Sequence, residues 1–161
     1  MSSQSDAGRN DAARSSSRGL QRILVATDGS PAAADATALA ADLAKAHGSE
    51  LIIVHVVPLV DVVSAPDLAE IGPVVLHEPT PHDHELLHEA AAIASVQGVV
   101  ATTALLPGSA AEAIVAYSES SDADLVVVGS HGHRAVLGGL HGSVAREVLD
   151  KSKRSVLVVR G

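Results

Sequence analysis

The chain has 161 residues, a formal net charge of -8 and no cysteine, and 47% of its residues are hydrophobic but only 1% aromatic. We expect a single globular domain with a core of Val, Leu, Ile and Ala, and no room for a second domain. The negative charge argues against nucleic acid or an anionic membrane as partner, and the lack of cysteine excludes disulfides, thiolate catalysis and cysteine-ligated metals.

The N-terminal segment differs in composition from the rest of the chain. Residues 1–20 are rich in Ser, Asp, Arg and Ala without apolar periodicity, so we predict a flexible tail there and a folded domain over residues 21–161. A docking role for the tail stays open. No apolar run approaches the roughly 20 residues of a membrane span, and no signal-peptide core is present, so a cytoplasmic protein is expected.

Apolar strand segments alternate strictly with helical segments along the rest of the chain. The predicted strands are residues 22–27, 51–57, 99–105, 124–128 and 155–160. Four predicted helices lie between them, over about 31–47, 82–97, 110–120 and 143–151. This alternation predicts an α/β fold in which a doubly wound, Rossmann-like parallel sheet carries helices on both faces.

Helix boundaries are indicated by local residue types. Ser30 suits an N-cap and is followed by Pro31, which favours the first helical position, while Gly48 is a typical C-terminal stop. Ser109 and Glu112 have the spacing of a capping box for the third helix.

The segment from Pro58 to Pro81 is rich in proline and is predicted to be a long extended loop, which is usually functional or mobile. Four histidines, His77, His82, His84 and His88, lie in or just after it. His84 and His88 have the i, i+4 spacing of metal ligands on a helix, but a solvated histidine-rich segment without a metal is the favoured interpretation. A pH-dependent role for this segment stays open.

A glycine pattern follows the fourth strand. Gly129-Ser130-His131-Gly132 is followed, after nine intervening residues, by Gly142-Ser143 at the start of the last helix. Glycine can adopt positive φ and lets a ligand approach, and the N–H groups of Gly142, Ser143 and Val144 would point free at a helix N-terminus, where an anion is stabilised. The pattern predicts a phosphate site; ordinary turn glycines and a plain N-cap at Ser143 are the alternative.

The complete spacing resembles the nucleotide-binding signature of the universal stress protein family. The resemblance extends to residues 23–30 and covers the chain from roughly Arg22 onward. It implies a five-stranded sheet of order 3-2-1-4-5, in which the first and fourth strands are adjacent. A crevice then opens at the carboxyl ends of these two strands.

The resemblance also implies roles for single residues. Asp28 would contact the nucleoside, and Val56 would touch adenine, although a turn-forming Asp and a core Val are the respective alternatives. The residues predicted to bind the nucleotide are Thr27, Asp28, Val56, Gly129, Ser130, Gly132, Gly142, Ser143 and Val144. Because aromatic residues are nearly absent, adenine would lie against aliphatic side chains.

The loop between the glycines contains His133, Arg134 and His141 but no lysine, and the chain has no P-loop motif. Backbone N–H groups, the helix terminus, the hydroxyls of Ser130 and Ser143 and a solvent-supplied Mg²⁺ would then meet the phosphate charge, with Arg134 as a further candidate. No catalytic residues are assigned, so we expect ATP to be bound with weak hydrolysis at most.

Three functions are compatible with these patterns. The leading hypothesis is an ATP-binding stress-response regulator or sensor. The alternatives are a nucleotide hydrolase or transferase that uses ATP as substrate, and a nucleotide-free interaction module. We also predict a homodimer through the C-terminal strand, because the apolar run Val156–Val159 would lie at an uncovered sheet edge.

Overall fold

The computed structural model describes residues 19–58, 78–131 and 142–161. Its elements are β1 (Arg22–Ala26), α1 (Pro31–His47), β2 (Glu50–Val57), α2 (Pro81–Val96), β3 (Ala101–Pro107), α3 (Ala110–Ser120), β4 (Leu125–Gly129), α4 (Ser143–Lys151) and β5 (Ser155–Val159). The predicted alternation of strands and helices is confirmed. The N-terminal tail as far as residue 18 and most of the predicted long loop lie outside the described residues.

All strand pairings are parallel, and the order β3-β2-β1-β4-β5 is as expected. Strand β1 is central: its Val25 lies opposite Ile53 of β2 on one side and Val127 of β4 on the other. The winding direction changes between β1 and β4, and this is the topological switch point at which a crevice opens beyond the carboxyl ends of the strands.

Two apolar clusters hold the helices to the two faces of the sheet. Alternate side chains of a strand point to opposite faces, so Ile23 and Val25 belong to the cluster with α1 and α2, whereas Leu24 belongs to the cluster with α3 and α4. All three side chains are fully buried. Both faces of the strands are therefore covered, as their continuous apolar runs require.

The predicted ends of α1 are confirmed. The Ser30 hydroxyl oxygen accepts a hydrogen bond from the Ala33 N–H at 3.2 Å, with Pro31 in the first turn. At the other end Gly48 has φ 67°, a left-handed conformation that glycine adopts without strain.

The predicted capping box of α3 is wrong. Ser109 is the N-cap residue, but its side chain makes no capping hydrogen bond, and Glu112 instead lies 3.3 Å from the ammonium of Lys151 on α4. A reciprocal capping box occurs at α2, where Thr80 and Asp83 bond each other's backbone N–H groups. Asp replaces the usual Glu or Gln there, which is why the pattern was missed.

Strand β3 begins at Ala101, two residues later than predicted, because residues just before it bond to the C-terminal end of α2. Gly98 has φ 80°, and the N–H groups of Gly98 and Val99 donate to the carbonyls of Ser95 and Ala94. These bonds form a Schellman motif, which takes Val99 out of the strand.

Among residues 19–58, 78–131 and 142–161, no helix has the length and apolar character needed to cross a membrane.

Candidate functional site

The carboxyl end of β1 leads into a tight turn of Thr27, Asp28, Gly29 and Ser30. The Thr27 hydroxyl accepts from the Gly29 N–H at 3.2 Å, and Asp28 Oδ1 accepts from the Ser30 N–H at 3.0 Å. Gly29 has φ 77°, so the turn needs a glycine at this position. One carboxylate oxygen of Asp28 is thus engaged in shaping the turn, which was the alternative role predicted for this residue.

Ser30 connects this turn to His131, which lies two residues after the end of β4. Besides capping α1, its hydroxyl donates to the backbone carbonyl of His131 at 3.3 Å. The start of α1 is therefore attached across the switch point to the loop that carries the glycine pattern. Sequence analysis predicted the cap but not this second bond, which joins residues 101 positions apart.

Gly129 ends β4 directly against the first turn of α1. A Cβ at this position would lie 2.8 Å from the carbonyl carbon and oxygen of Ala32 and 3.0 Å from the N atom of Ala33. Gly129 is not among the glycines with positive φ. The freedom of glycine to adopt positive φ is therefore not used here; instead, the absence of a side chain lets a strand and a helix approach each other closely.

Ser130 is fully buried, and its backbone and side chain are all engaged. Its N–H donates to the Val159 carbonyl at 2.7 Å, its carbonyl accepts from the Gly142 N–H, and its hydroxyl lies 2.8 Å from Nδ1 of the exposed His131. The expected free N–H of Gly142 is thus incorrect, because this group ties the start of α4 to the end of β4. A phosphate contact of the Ser130 hydroxyl stays a prediction.

The N-terminus of α4 is a part of the glycine pattern that is exposed to solvent. Gly142 is the N-cap with φ -60° and ψ 151°, which any residue can adopt, so no conformational strain requires glycine here. Ser143 and Val144 are the first helical residues and are exposed. Their N–H groups have no partner within the helix, because the first four such groups of any helix have none.

The remaining predicted site residues lie as follows. Val56 is half-buried on β2 and packs against the apolar cluster that includes α3 and α4, as its alternative core role requires; a contact with adenine stays a prediction. Gly132, His133, Arg134 and His141 lie outside the described residues.

The histidine-rich segment reaches into the described part of α2. His84 and His88 are exposed. Within residues 19–58, 78–131 and 142–161, no group of three or more His, Cys, Asp or Glu side chains is arranged to hold a metal.

One buried polar residue near the turn was missed by sequence analysis. His55 on β2 is 9% exposed, its Nδ1 lies 2.8 Å from the Thr27 carbonyl oxygen, and its Nε2 lies 3.0 Å from Asp83 Oδ1. Hydrogen bonds from the hydroxyl and then the N–H of Thr80, assisted by His55, lower the pKa of Asp83 to about 2. The signal in the sequence is a histidine at an inward-facing position, in step with Leu51 and Ile53.

Comparison with known proteins agrees with this arrangement. Residues 19–160 match the Universal stress protein family. A universal stress protein of Thermus aquaticus is 35% identical over 142 residues, which cover 88% of this chain and 99% of that protein. The universal stress protein Rv2005c of Mycobacterium tuberculosis is 32% identical over 86% of this chain, but the match covers only 45% of that relative, so the chain spans less than half of its length.

Solved structures share the same architecture. A universal stress protein in complex with cAMP has a TM-score of 0.66 and 29% identity over 88% of this chain and 97% of its own. The universal stress protein of Archaeoglobus fulgidus in complex with dAMP has a TM-score of 0.63 and 26% identity over 86% of this chain and 97% of its own. By sequence, strand order and structural similarity, the chain belongs to the universal stress protein family.

Proposed function

We propose that this protein binds an adenine nucleotide, ATP together with Mg²⁺, in the crevice between the ends of β1 and β4, and acts as a nucleotide-dependent regulator or sensor in the stress response. The observation that carries the proposal is the convergence of two helix N-termini at the switch point. Ser30 ties α1 to His131, and Ser130 ties the start of α4 to the end of β4. The relatives that were solved with cAMP and dAMP support an adenine nucleotide as the ligand.

The start of α4 is the part suited to phosphate. The N–H groups of Ser143 and Val144 lie at the positive end of the helix dipole, which favours an anion, and the Ser143 hydroxyl adds a donor. Gly142 has no side chain to obstruct an anion at the helix start.

The β1 turn and β2 supply the groups for the nucleoside. Asp28 stands at the rim of the crevice, where a carboxylate can accept hydrogen bonds from ribose hydroxyls. Val56 offers an aliphatic surface to adenine, in place of the aromatic stacking that the composition excludes.

The residue types in the site favour ATP binding with little hydrolysis. The sequence lacks the lysine of a P-loop, so the chain offers backbone N–H groups and hydroxyls to the phosphates. Mg²⁺ bound with the nucleotide would neutralise further phosphate charge. We therefore propose a protein whose nucleotide-bound state is read by a partner, rather than an efficient ATPase.

We further propose a homodimer through β5. This strand is the last in the sheet order, and its residues Val156 to Val159 are half-buried in the single chain. A second copy that adds its own β5 would cover this apolar edge.

The proposed ligand site is tested by titrating Mg-ATP into wild type and two matched serine variants in a calorimeter. Ser143→Ala should weaken binding about tenfold or more, the weight of one hydrogen bond to a charged group. Ser152→Ala, at the opposite end of α4, removes a hydroxyl that bonds the backbone of Arg154, and this variant should bind Mg-ATP as wild type does. Equal affinity of all three proteins would contradict the assignment of the phosphates to the start of α4.

A further inference from the structure

A buried histidine connects the β1 turn with the first turn of α2. His55 Nδ1 lies 2.8 Å from the carbonyl oxygen of Thr27, and Nε2 lies 3.0 Å from Oδ1 of Asp83. The histidine and carboxylate side chains are 11% and 15% exposed, so water competes little for these bonds.

Both partners of the ring are hydrogen-bond acceptors. A neutral imidazole carries one N–H, so it could donate to the Thr27 carbonyl or to Asp83 but would face the other oxygen with a lone pair. Asp83 cannot supply the missing proton at neutral pH, because its pKa is lowered to about 2, first by the Thr80 hydroxyl. A ring that donates to both oxygens must carry a proton on each nitrogen.

Asp83 is itself held in place from the other side. Its Oδ2 accepts from the N–H and the hydroxyl of Thr80, each at 2.7 Å, while Oδ1 faces His55. The carboxylate thus uses one oxygen for the helix cap and the other for the histidine. A continuous hydrogen-bonded path runs from the cap of α2 through His55 to the end of β1.

The path ends on the peptide group that precedes Asp28. No cis peptide occurs in the described residues, so the carbonyl of Thr27 and the N–H of Asp28 point in opposite directions. By holding the carbonyl, His55 fixes the plane of this peptide. It therefore also fixes the direction in which Asp28 leaves the strand.

Among residues 19–58, 78–131 and 142–161, the charged group in contact with the ring is Asp83. On α2, His82 and Glu85 flank Asp83 but are 74% and 67% exposed, and their own contact is 4.0 Å long. On the β1 turn, Asp28 follows Thr27 and bonds the Ser30 N–H. On the β3 side, the sheet neighbour of His55 is the apolar Leu105.

We propose that His55 is a positioning residue of the nucleotide site: a ring that donates to both the Thr27 carbonyl and Asp83 holds the β1 turn to α2, and loss of either bond weakens nucleotide binding. The inference rests on the proposed function, because it concerns the affinity of the same site. It adds a link between that site and α2, which follows the long segment of residues 59–77.

The test is calorimetric titration of Mg-ATP into the full chain from about pH 5.5 to pH 8.5, the range in which histidine usually titrates. We compare wild type with His55→Gln, Asp83→Asn and His82→Ala. His55→Gln and Asp83→Asn should weaken binding about tenfold at the acidic end, and His55→Gln should retain only the nucleotide's own pH dependence. His82→Ala is the control: it removes an exposed imidazole next to Asp83 that lies 4.0 Å from Glu85, so its affinity and pH profile should stay within about threefold of wild type.

The outcomes separate the two proposals. If wild type binds Mg-ATP and His55→Gln has the same affinity and pH profile, the positioning role is overturned while the proposed function stands. If wild type does not bind at any pH, the proposed function falls, and the positioning role falls with it.

A second measurement covers the case in which His55→Gln fails to fold. In ¹⁵N NMR of wild type, both ring nitrogens of His55 should carry protons at the acidic end. Loss of one proton on raising the pH should shift the amide resonances of Asp28 and Gly29. A ring with a single proton throughout the range would overturn the proposal.

Discussion

Replacement of Gly129 by alanine tests whether β4 and α1 meet as closely as the structure shows. The new Cβ would lie 2.8 Å from the backbone carbonyl carbon and oxygen of Ala32 and 3.0 Å from the N atom of Ala33. Carbon atoms in contact normally lie about 3.5 to 4.0 Å apart. All three neighbours are backbone atoms, so rotation of a side chain cannot relieve the overlap, and either the strand end or the first turn of α1 must move.

The sign of the stability change decides between two explanations of this glycine. Overpacking of this kind costs about 1 to 3 kcal/mol. The loss of unfolded-state freedom on Gly→Ala replacement stabilises the fold by about 0.4 to 1 kcal/mol where the native φ suits alanine. Since Gly129 does not have positive φ, both terms apply, and we expect a net loss of about 1 to 2 kcal/mol in the free energy of unfolding.

Urea unfolding followed by far-UV circular dichroism measures this difference at fixed protein concentration. Gly19→Ala is the control, because a Cβ at that exposed position meets nothing within 4 Å. A Gly129→Ala protein that is as stable as wild type, or more stable, would refute the close approach of β4 and α1.

Three further predictions concern other parts of the molecule. Since the pKa of Asp83 is lowered from 3.8 to about 2, its ionised form should contribute about 1 to 2 kcal/mol to the free energy of unfolding above pH 4. In acid unfolding, the stability advantage of wild type over Asp83→Asn should therefore vanish as the pH falls from about 4 to 2. The Val159 carbonyl faces β4, where it accepts from the Ser130 N–H, so the N–H of the preceding Val158 points to the open edge of the sheet. Val158→Pro removes this N–H and should convert the dimer into a folded monomer, as measured by light scattering. A persistent dimer would count against pairing through β5. His84→Ala with His88→Ala should leave the affinity for Mg-ATP within about threefold by titration, because both side chains are exposed on α2; a large loss would give that helix face a role in binding.

The strand order and the helix ends with strong local signals could be predicted from the sequence. Apolar runs and their spacing mark the strands, the family resemblance implies their order, and Ser30 and Gly48 act through contacts within a few residues of themselves. The strands and the helix ends depend on local residue types, which the sequence displays directly, whereas the strand order came from the resemblance.

The contacts that build the site could not be predicted, because they join residues distant in sequence. The sequence shows that Gly129 ends a strand, but not that it is packed against a helix that begins about one hundred residues earlier in the chain. His55 reaches Thr27 and Asp83, each 28 positions away, and only the folded sheet brings these three together.

The capping box shows how similar local patterns can differ in outcome. Ser109 and Glu112 have the expected residue types, yet Glu112 pairs with Lys151 across α3 and α4. Thr80 and Asp83 form the box instead, because Asp83 is also fixed by His55. Tertiary partners decided both cases.

The most direct test of adenine-nucleotide binding at the start of α4 is thermal unfolding of wild type and Gly142→Val with and without Mg-ATP. Valine can adopt the backbone angles of Gly142, so the variant should melt as wild type does without ligand, and only its access to phosphate should change. A ligand at one hundred times its dissociation constant stabilises the native state by about 2.7 kcal/mol, which raises Tm by several degrees in a domain of this size. We expect this rise for wild type and none for Gly142→Val; an unchanged Tm of wild type at millimolar Mg-ATP would contradict nucleotide binding at this site.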